Sequence, residues 1–129
     1  MRPVNLFLTE DGVLKLGYYG LTTQAECYSI KGSDCDALRS FAPEVFEGEY
    51  ESKSDVWSLG IVLLEMMGIT PYHDYENDDL STEDDHCESP FEKEDIKSEE
   101  LAEFLQKCFE ERVRERWNVN ALLYVSVMG

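Results

Sequence analysis

Several side chains in this 129-residue sequence are of the types that do chemistry. Asp74, Glu76, Asp78 and Asp79 are spaced as oxygen ligands for a hard cation would be. An EF-hand calcium loop needs Gly at its sixth position, however, and Asp79 stands there. Cys27, Cys35, Cys87, His73 and His86 are the residue types that hold zinc, but their spacings match no zinc pattern. No metal site is therefore expected. Ser29, Ser33, Ser81, Thr82 and Ser89 carry hydroxyls able to accept phosphate. Thr82, followed by Glu83, Asp84 and Asp85, best suits an acid-directed kinase. Taken singly, Glu44 and Arg116 read as solvated surface charges, and Asn5 as a turn residue at the start of a strand.

The composition narrows the classes of function. With 43% apolar and 12% aromatic residues the chain can build a core and fits one domain over residues 1–129. Its net charge of −17 repels nucleic acid and anionic membrane surfaces, so neither is expected as a partner. Cys27, Cys35, Cys87 and Cys108 form no C-x-x-C pair and follow no secretory signal. Reduced thiols in a soluble cytoplasmic or nuclear protein fit them better than a disulfide framework. The most apolar stretch, Val56 to Met67, is interrupted by Ser58 and Glu65 and is too short to span a bilayer.

The elements that must position these residues are mainly helical. Asn5–Thr9 and Val13–Leu16 flank Glu10-Asp11-Gly12, the signal of a β-hairpin. From Gly17 to Phe41 there is no clear periodicity, and the spacing predicts a long loop. A helix follows, capped by Ser52 or Ser54, running to Met67 and closed by Gly68. Its apolar residues lie on nearly every face, so it must be buried all round. Residues 74–100 hold thirteen Asp or Glu against two Lys, which is −11 of the total charge, and are expected to be an exposed acidic loop. Ser98 then caps a helix whose Leu101, Phe104, Leu105 and Cys108 share one face. A last helix starts near Asn118.

Five segments in order resemble the C-terminal lobe of eukaryotic protein kinases. Arg2-Pro3-Val4-Asn5 is similar to the end of the catalytic loop H-R-D-x-K-P-x-N, with Asn5 at the metal-binding Asn and Arg2 at the Lys. Gly17-Tyr18-Tyr19-Gly20 stands where the family has x-D-F-G. Ala42-Pro43-Glu44 matches the A-P-E that closes the activation segment. Ser54-Asp55-Val56-Trp57-Ser58-Leu59-Gly60 matches the start of the central helix, and Cys108 through Trp117 resembles C-L-x-x-D-P-x-x-R-P, with Arg116 as its Arg. The wording is most similar to the STE group, the kinases of MAP-kinase cascades.

The resemblance implies a partial C-lobe: a short hairpin, an activation-segment-like loop, then three or more helices. It also implies which chemistry is missing. Phosphoryl transfer needs a glycine-rich loop, a strand Lys paired to a helix Glu, a catalytic Asp, and Asp and Asn ligands for magnesium. The catalytic Asp would immediately precede Met1, and no N-lobe motif is present, so these 129 residues alone are expected not to transfer phosphate. Tyr18 replaces the main metal ligand with a phenol that is neutral at pH 7. Asp36-Ala37 replaces a Gly-Thr pair, and Ala37 removes the hydroxyl that contacts the catalytic Asp in the family. No catalytic residue is thus intact, and neither the ATP nor the magnesium of the family is expected to bind.

Glu44 and Arg116 take the positions of a buried ion pair, and Asp55 that of a residue accepting from the catalytic-loop backbone, in this chain with acceptor capacity unmet. Three readings follow. One is a non-catalytic, pseudokinase-type C-lobe remnant that binds protein. A second is part of an ATP-dependent serine/threonine kinase. A third is an acidic interaction module that meets a basic protein surface through residues 74–100. The central helix is expected to expose an apolar patch from the set Val56, Leu59, Leu63 and Met67, to be covered by an N-lobe or a partner.

Overall fold

The computed structural model describes residues 3–17, 39–72 and 89–128. Arg2, Tyr18, Ala37, Cys27, Cys35, His73, His86, Cys87 and most of the acidic stretch lie outside the described residues. A 3-10 turn, Pro3–Asn5, leads into strand β1 (Leu6–Leu8), which pairs antiparallel with β2 (Leu14–Leu16). Four α-helices follow: α1 (Pro43–Phe46), α2 (Ser54–Met66), α3 (Glu99–Cys108) and α4 (Val119–Met128). The described residues are therefore mostly helical, with one two-stranded sheet. A second 3-10 turn, Lys93–Asp95, lies in the described part of the acidic stretch. That part is not the wholly exposed loop expected, because Phe91 and Ile96 are buried in the core.

The hairpin turn closes on its own side chains. Thr9 N donates to Val13 O at 2.9 Å, and the Thr9 hydroxyl accepts from Val13 N at 3.0 Å. Gly12, at φ 78°, supplies the left-handed residue that this reversal requires. Helix α2 ends by a similar local device. Gly68 has φ 77°, its N–H donates to Glu65 O, and Ile69 N–H donates to Leu64 O. These are the two bonds of a Schellman stop, which satisfy carbonyls that the helix leaves open.

The start of α2 departs from the sequence reading. Neither Ser52 nor Ser54 caps it. The cap position is Lys53, without a side-chain cap bond, and Ser54 is the first helical residue. The Ser54 hydroxyl donates instead to Glu44 Oε1 at 2.7 Å. A charged acceptor outcompetes a neutral backbone cap because charge-assisted bonds are roughly twice as strong. Helix α3 does carry its serine cap: Ser98 Oγ accepts from Leu101 N at 3.2 Å, with Glu99 and Glu100 in the first turn. The Ser98 hydroxyl also donates to Glu100 Oε2.

Helix α2 is the centre of packing. Trp57, Ile61 and Leu64 join Ala42, Val45, Leu105 and Phe109 in one buried cluster. Val56 faces a second cluster with Cys108 and Leu122. That second cluster corrects the expected apolar patch. Val56 is buried, Leu59 and Leu63 are half-buried, and α3 and α4 supply more cover than their number suggests. The large apolar side chains of α2 and its cap that stay open are Met66 and Met67, at the C-terminal end. Farther on, Tyr72 has φ 59°, a strained value for a bulky residue, and is held by burial and a bond from its N–H to Pro90 O.

Gly60 lets α2 and the end of α3 meet. A Cβ built there would stand 2.6 Å from Phe109 Cζ and 3.1 Å from Cys108 Cβ. Phe109 cannot retreat, since its ring packs edge-on to Trp57 at 5.1 Å and against Phe91 at 5.7 Å. Gly60→Ala should therefore destabilise the chain by ~1–3 kcal/mol through overpacking, despite the better helix propensity of Ala. The midpoint of urea unfolding measures this; an unchanged or raised midpoint would contradict the packing account.

Candidate functional site

Of the sequence-selected residues, the structure brings Glu44 and Arg116 together. Glu44 lies in the first turn of α1, whose opening is set by Pro43 at its first position. Arg116 lies in the turn-rich segment between α3 and α4, 72 residues away. Arg116 Nη1 donates to Glu44 Oε1 at 2.6 Å and Nη2 donates to Glu44 Oε2 at 3.0 Å. The pair is bidentate and buried, with Arg116 1% and Glu44 6% exposed.

The remaining donors of the guanidinium are also used. Nε donates to Glu110 O at 2.8 Å, Nη1 to Lys53 O at 3.2 Å and Nη2 to Glu111 O at 3.4 Å. The guanidinium carbon sits 5.0 Å from the Trp57 ring centroid, where the π face favours a cation. Burying a charge is costly unless it is paired and fully hydrogen-bonded, and this site meets both conditions. Lys53 adds a second link across the same gap: its Nζ donates to Val113 O at 2.9 Å and to Arg114 O at 2.8 Å. Reading motifs alone misses Lys53 and Ser54 as members of this cluster, because their bonds run to residues 10 to 61 positions away.

The electrostatics follow the geometry. Burial pushes the Glu44 carboxyl up, but hydrogen bonds from Arg116, Ser54 and its own backbone, with the Arg116 charge, hold it below its ordinary 4.5. Burial pushes the Cys108 thiol up to about 12, against an opposing effect of Arg116, so it is an inert core thiol. Two buried donors, Trp57 Nε1 and Arg39 Nε, have no hydrogen-bond partner among the described residues.

The other selected residues lie apart from this cluster. Asn5 is half-buried at the end of the first 3-10 turn, and its carbonyl accepts from Gly17 N at 2.8 Å. Asp55 is exposed in the first turn of α2 and takes part in an interaction there. Arg2, Tyr18 and Ala37 lie outside the described residues. Among the described residues no group of three His, Cys, Asp or Glu could hold a metal ion, and no helix is long and apolar enough to cross a membrane.

Comparison with known proteins gives this geometry a family. The family model described as the protein kinase domain matches residues 1–128. Serine/threonine-protein kinase pakH of Dictyostelium discoideum is 31% identical over 126 residues, covering 95% of this chain and 25% of pakH. Human mitogen-activated protein kinase kinase kinase 4 is 32% identical over 134 aligned residues, covering 95% of this chain and 8% of that protein. Serine/threonine-protein kinase Nek9 of Xenopus laevis is 37% identical over 79 residues, covering 60% of this chain and 8% of Nek9. This chain belongs to the protein kinase family. It spans between 8% and 25% of the length of these three relatives.

Two outcomes follow from the buried pair. Glu44→Ala and Arg116→Ala should each cost about 3–5 kcal/mol by stranding the remaining charge, and the double variant should cost less than their sum. Small, additive losses in urea unfolding would mean that the pair does not act as one unit. The pH dependence has a definite sign. A carboxyl held low in the folded chain contributes stability that is complete above 4.5 and is lost as pH falls through the folded value. The stability gap between the parent and Glu44→Gln should therefore narrow as pH drops below 4.5. A gap that stays constant in acid would contradict the assignment.

Proposed function

We propose that this chain forms the distal part of a protein-kinase C-lobe and acts through protein contacts, without transferring phosphate. In this reading Asn5 ends the catalytic loop, Ala42-Pro43-Glu44 closes the activation segment, and α2 is the central helix. The observation that carries it is Tyr18 in Gly17-Tyr18-Tyr19-Gly20, where the family places its principal magnesium ligand. A neutral phenol does not replace a carboxylate for a hard cation, and the Asn5 amide oxygen alone does not hold one. Ala37 supports the same reading, since it lacks the hydroxyl of the family's Thr. The structural cluster is kept while the chemical one is degraded: Glu44, Arg116, Trp57 and Ser54 are tied together in the interior.

The partner in this proposal is a basic protein surface that meets the acidic residues 74–100. Met66 and Met67, the open end of α2, offer a second contact to an N-lobe or another chain. Localisation in the cytoplasm or nucleus goes with reduced thiols at Cys27, Cys35 and Cys87 in this proposal; Cys108 is free and buried.

A second reading has its own support. The three relatives are serine/threonine or mitogen-activated-cascade kinases of which this chain matches a minor share. These residues could thus belong to a larger ATP-dependent serine/threonine kinase, in which other segments bind the nucleotide.

Magnesium–ATP tests the non-catalytic reading of this chain. A thermal-shift titration to millimolar Mg·ATP should leave the unfolding temperature unchanged. A reproducible rise that Asn5→Ala suppresses would show that a metal–nucleotide site survives, and would overturn the non-catalytic reading.

A further inference from the structure

Of the hydroxyls singled out as phosphate acceptors, Ser89 is the one that falls among the described residues, and none of the preceding assignments uses it. It is exposed, while Pro90 and Phe91 behind it are buried. Its hydroxyl donates to Phe91 O at 2.9 Å, and Pro90 O accepts from Tyr72 N at 3.2 Å. These two bonds fasten a short strap that sets the Phe91 ring against Phe109. On the other side of the strap Tyr72 is held at φ 59°, so letting go relieves a strained residue. A segment fastened by few bonds and opposed by strain opens locally before the rest of the fold.

Ser89 is followed by a residue without a backbone N–H, the feature that proline-directed protein kinases select. We propose that Ser89 is a phosphorylation site for such a kinase, and that phosphate there unfastens residues 89–91 from the core. Ser89 Oγ forms a bond to the γ-phosphorus of ATP held by that kinase, the bond from this phosphorus to ADP breaks, and the hydroxyl proton passes to a carboxylate of the kinase. The product carries acceptor oxygens and about two negative charges where Ser89 had a donor. Phe91 O, itself an acceptor, loses its bond and faces a dianion. Glu88, Glu92, Glu94 and Asp95 add like charge along the chain. Pro90 must leave the interior for the kinase to read it, so the enzyme captures the open strap and the phosphate keeps it open. Thr70-Pro71 is the other hydroxyl–proline pair, but its modification would leave the Ser89–Phe91 bond in place. The site does not depend on whether this chain binds nucleotide.

The test incubates the full chain with a purified proline-directed serine/threonine kinase and Mg·ATP, beside a synthetic peptide of residues 84–95 as the unfolded reference. Mass spectrometry should place phosphate on Ser89 in both, more slowly in the chain because the strap must first open. Phe91→Ala loosens the strap and should speed modification of Ser89 about tenfold, toward the rate of the peptide. In the phosphorylated, unsubstituted chain, hydrogen exchange at the Tyr72 amide should rise about tenfold or more, while the amides of α2 keep their protection. Ser89→Ala loses the same hydroxyl bond without gaining charge and should raise that exchange less. The exchange measurement needs no variant, so it decides the matter even if Phe91→Ala does not fold. A chain left unmodified while the peptide is modified, a peptide left unmodified, or phosphate on Thr70 alone would each overturn the proposal. So would a Tyr72 amide that stays equally protected after Ser89 is phosphorylated.

Discussion

A guanidinium buried as deeply as that of Arg116 keeps its charge in the interior only if its donors find acceptors there. They find two carboxylate oxygens on Glu44 and three carbonyls, those of Lys53, Glu110 and Glu111. That requirement fixes several otherwise independent stretches at once. The α1 turn must present Glu44, the residue before α2 must offer its carbonyl, and the segment after α3 must wrap so that the carbonyls of Glu110 and Glu111 face inward. Once this holds, the Trp57 ring is pressed between the cation and Phe109, and the Ser54 hydroxyl is drawn off capping duty toward Glu44.

Such a pair is a poor source of net stability, because desolvation offsets much of its Coulomb attraction. The favourable free energy comes from the apolar clusters on both sides of α2, reached through Gly60 on one face and through Val56, Cys108 and Leu122 on another. The ion pair instead makes competing arrangements costly: any packing that separates Glu44 from Arg116 strands a charge in a region of low dielectric. Apolar burial supplies the drive, and the pair selects one docking of α1, α2 and the segment after α3. In the proposed non-catalytic reading this explains how a kinase-family fold can keep its architecture after Tyr18 and Ala37 have replaced chemical groups.

Much of the local structure was legible because it is decided by near neighbours. Asp11-Gly12 between two apolar runs marks the hairpin, Gly68 marks the end of α2, and Ser98 with two following glutamates marks the start of α3. Each rests on backbone conformation or on a bond a few residues long. What escaped the sequence was decided by distant partners. Nothing local says that Ser54 will leave its cap role for a carboxylate ten residues back, or that Lys53 will reach carbonyls 60 and 61 residues on. The cover of Val56 was likewise misjudged, since it depends on how α3 and α4 lean against α2.

The claim that one buried pair sets the docking of these segments is tested most directly by native-state hydrogen exchange on Arg116→Lys. Lysine keeps the charge but loses the planar fork that reaches two carboxylate oxygens and three carbonyls. Amides of residues 42–54 and 110–117 should lose protection together, while those of the β1–β2 hairpin keep theirs. Unchanged protection across both stretches in Arg116→Lys would show that charge alone suffices, and would contradict a docking role for the bidentate geometry.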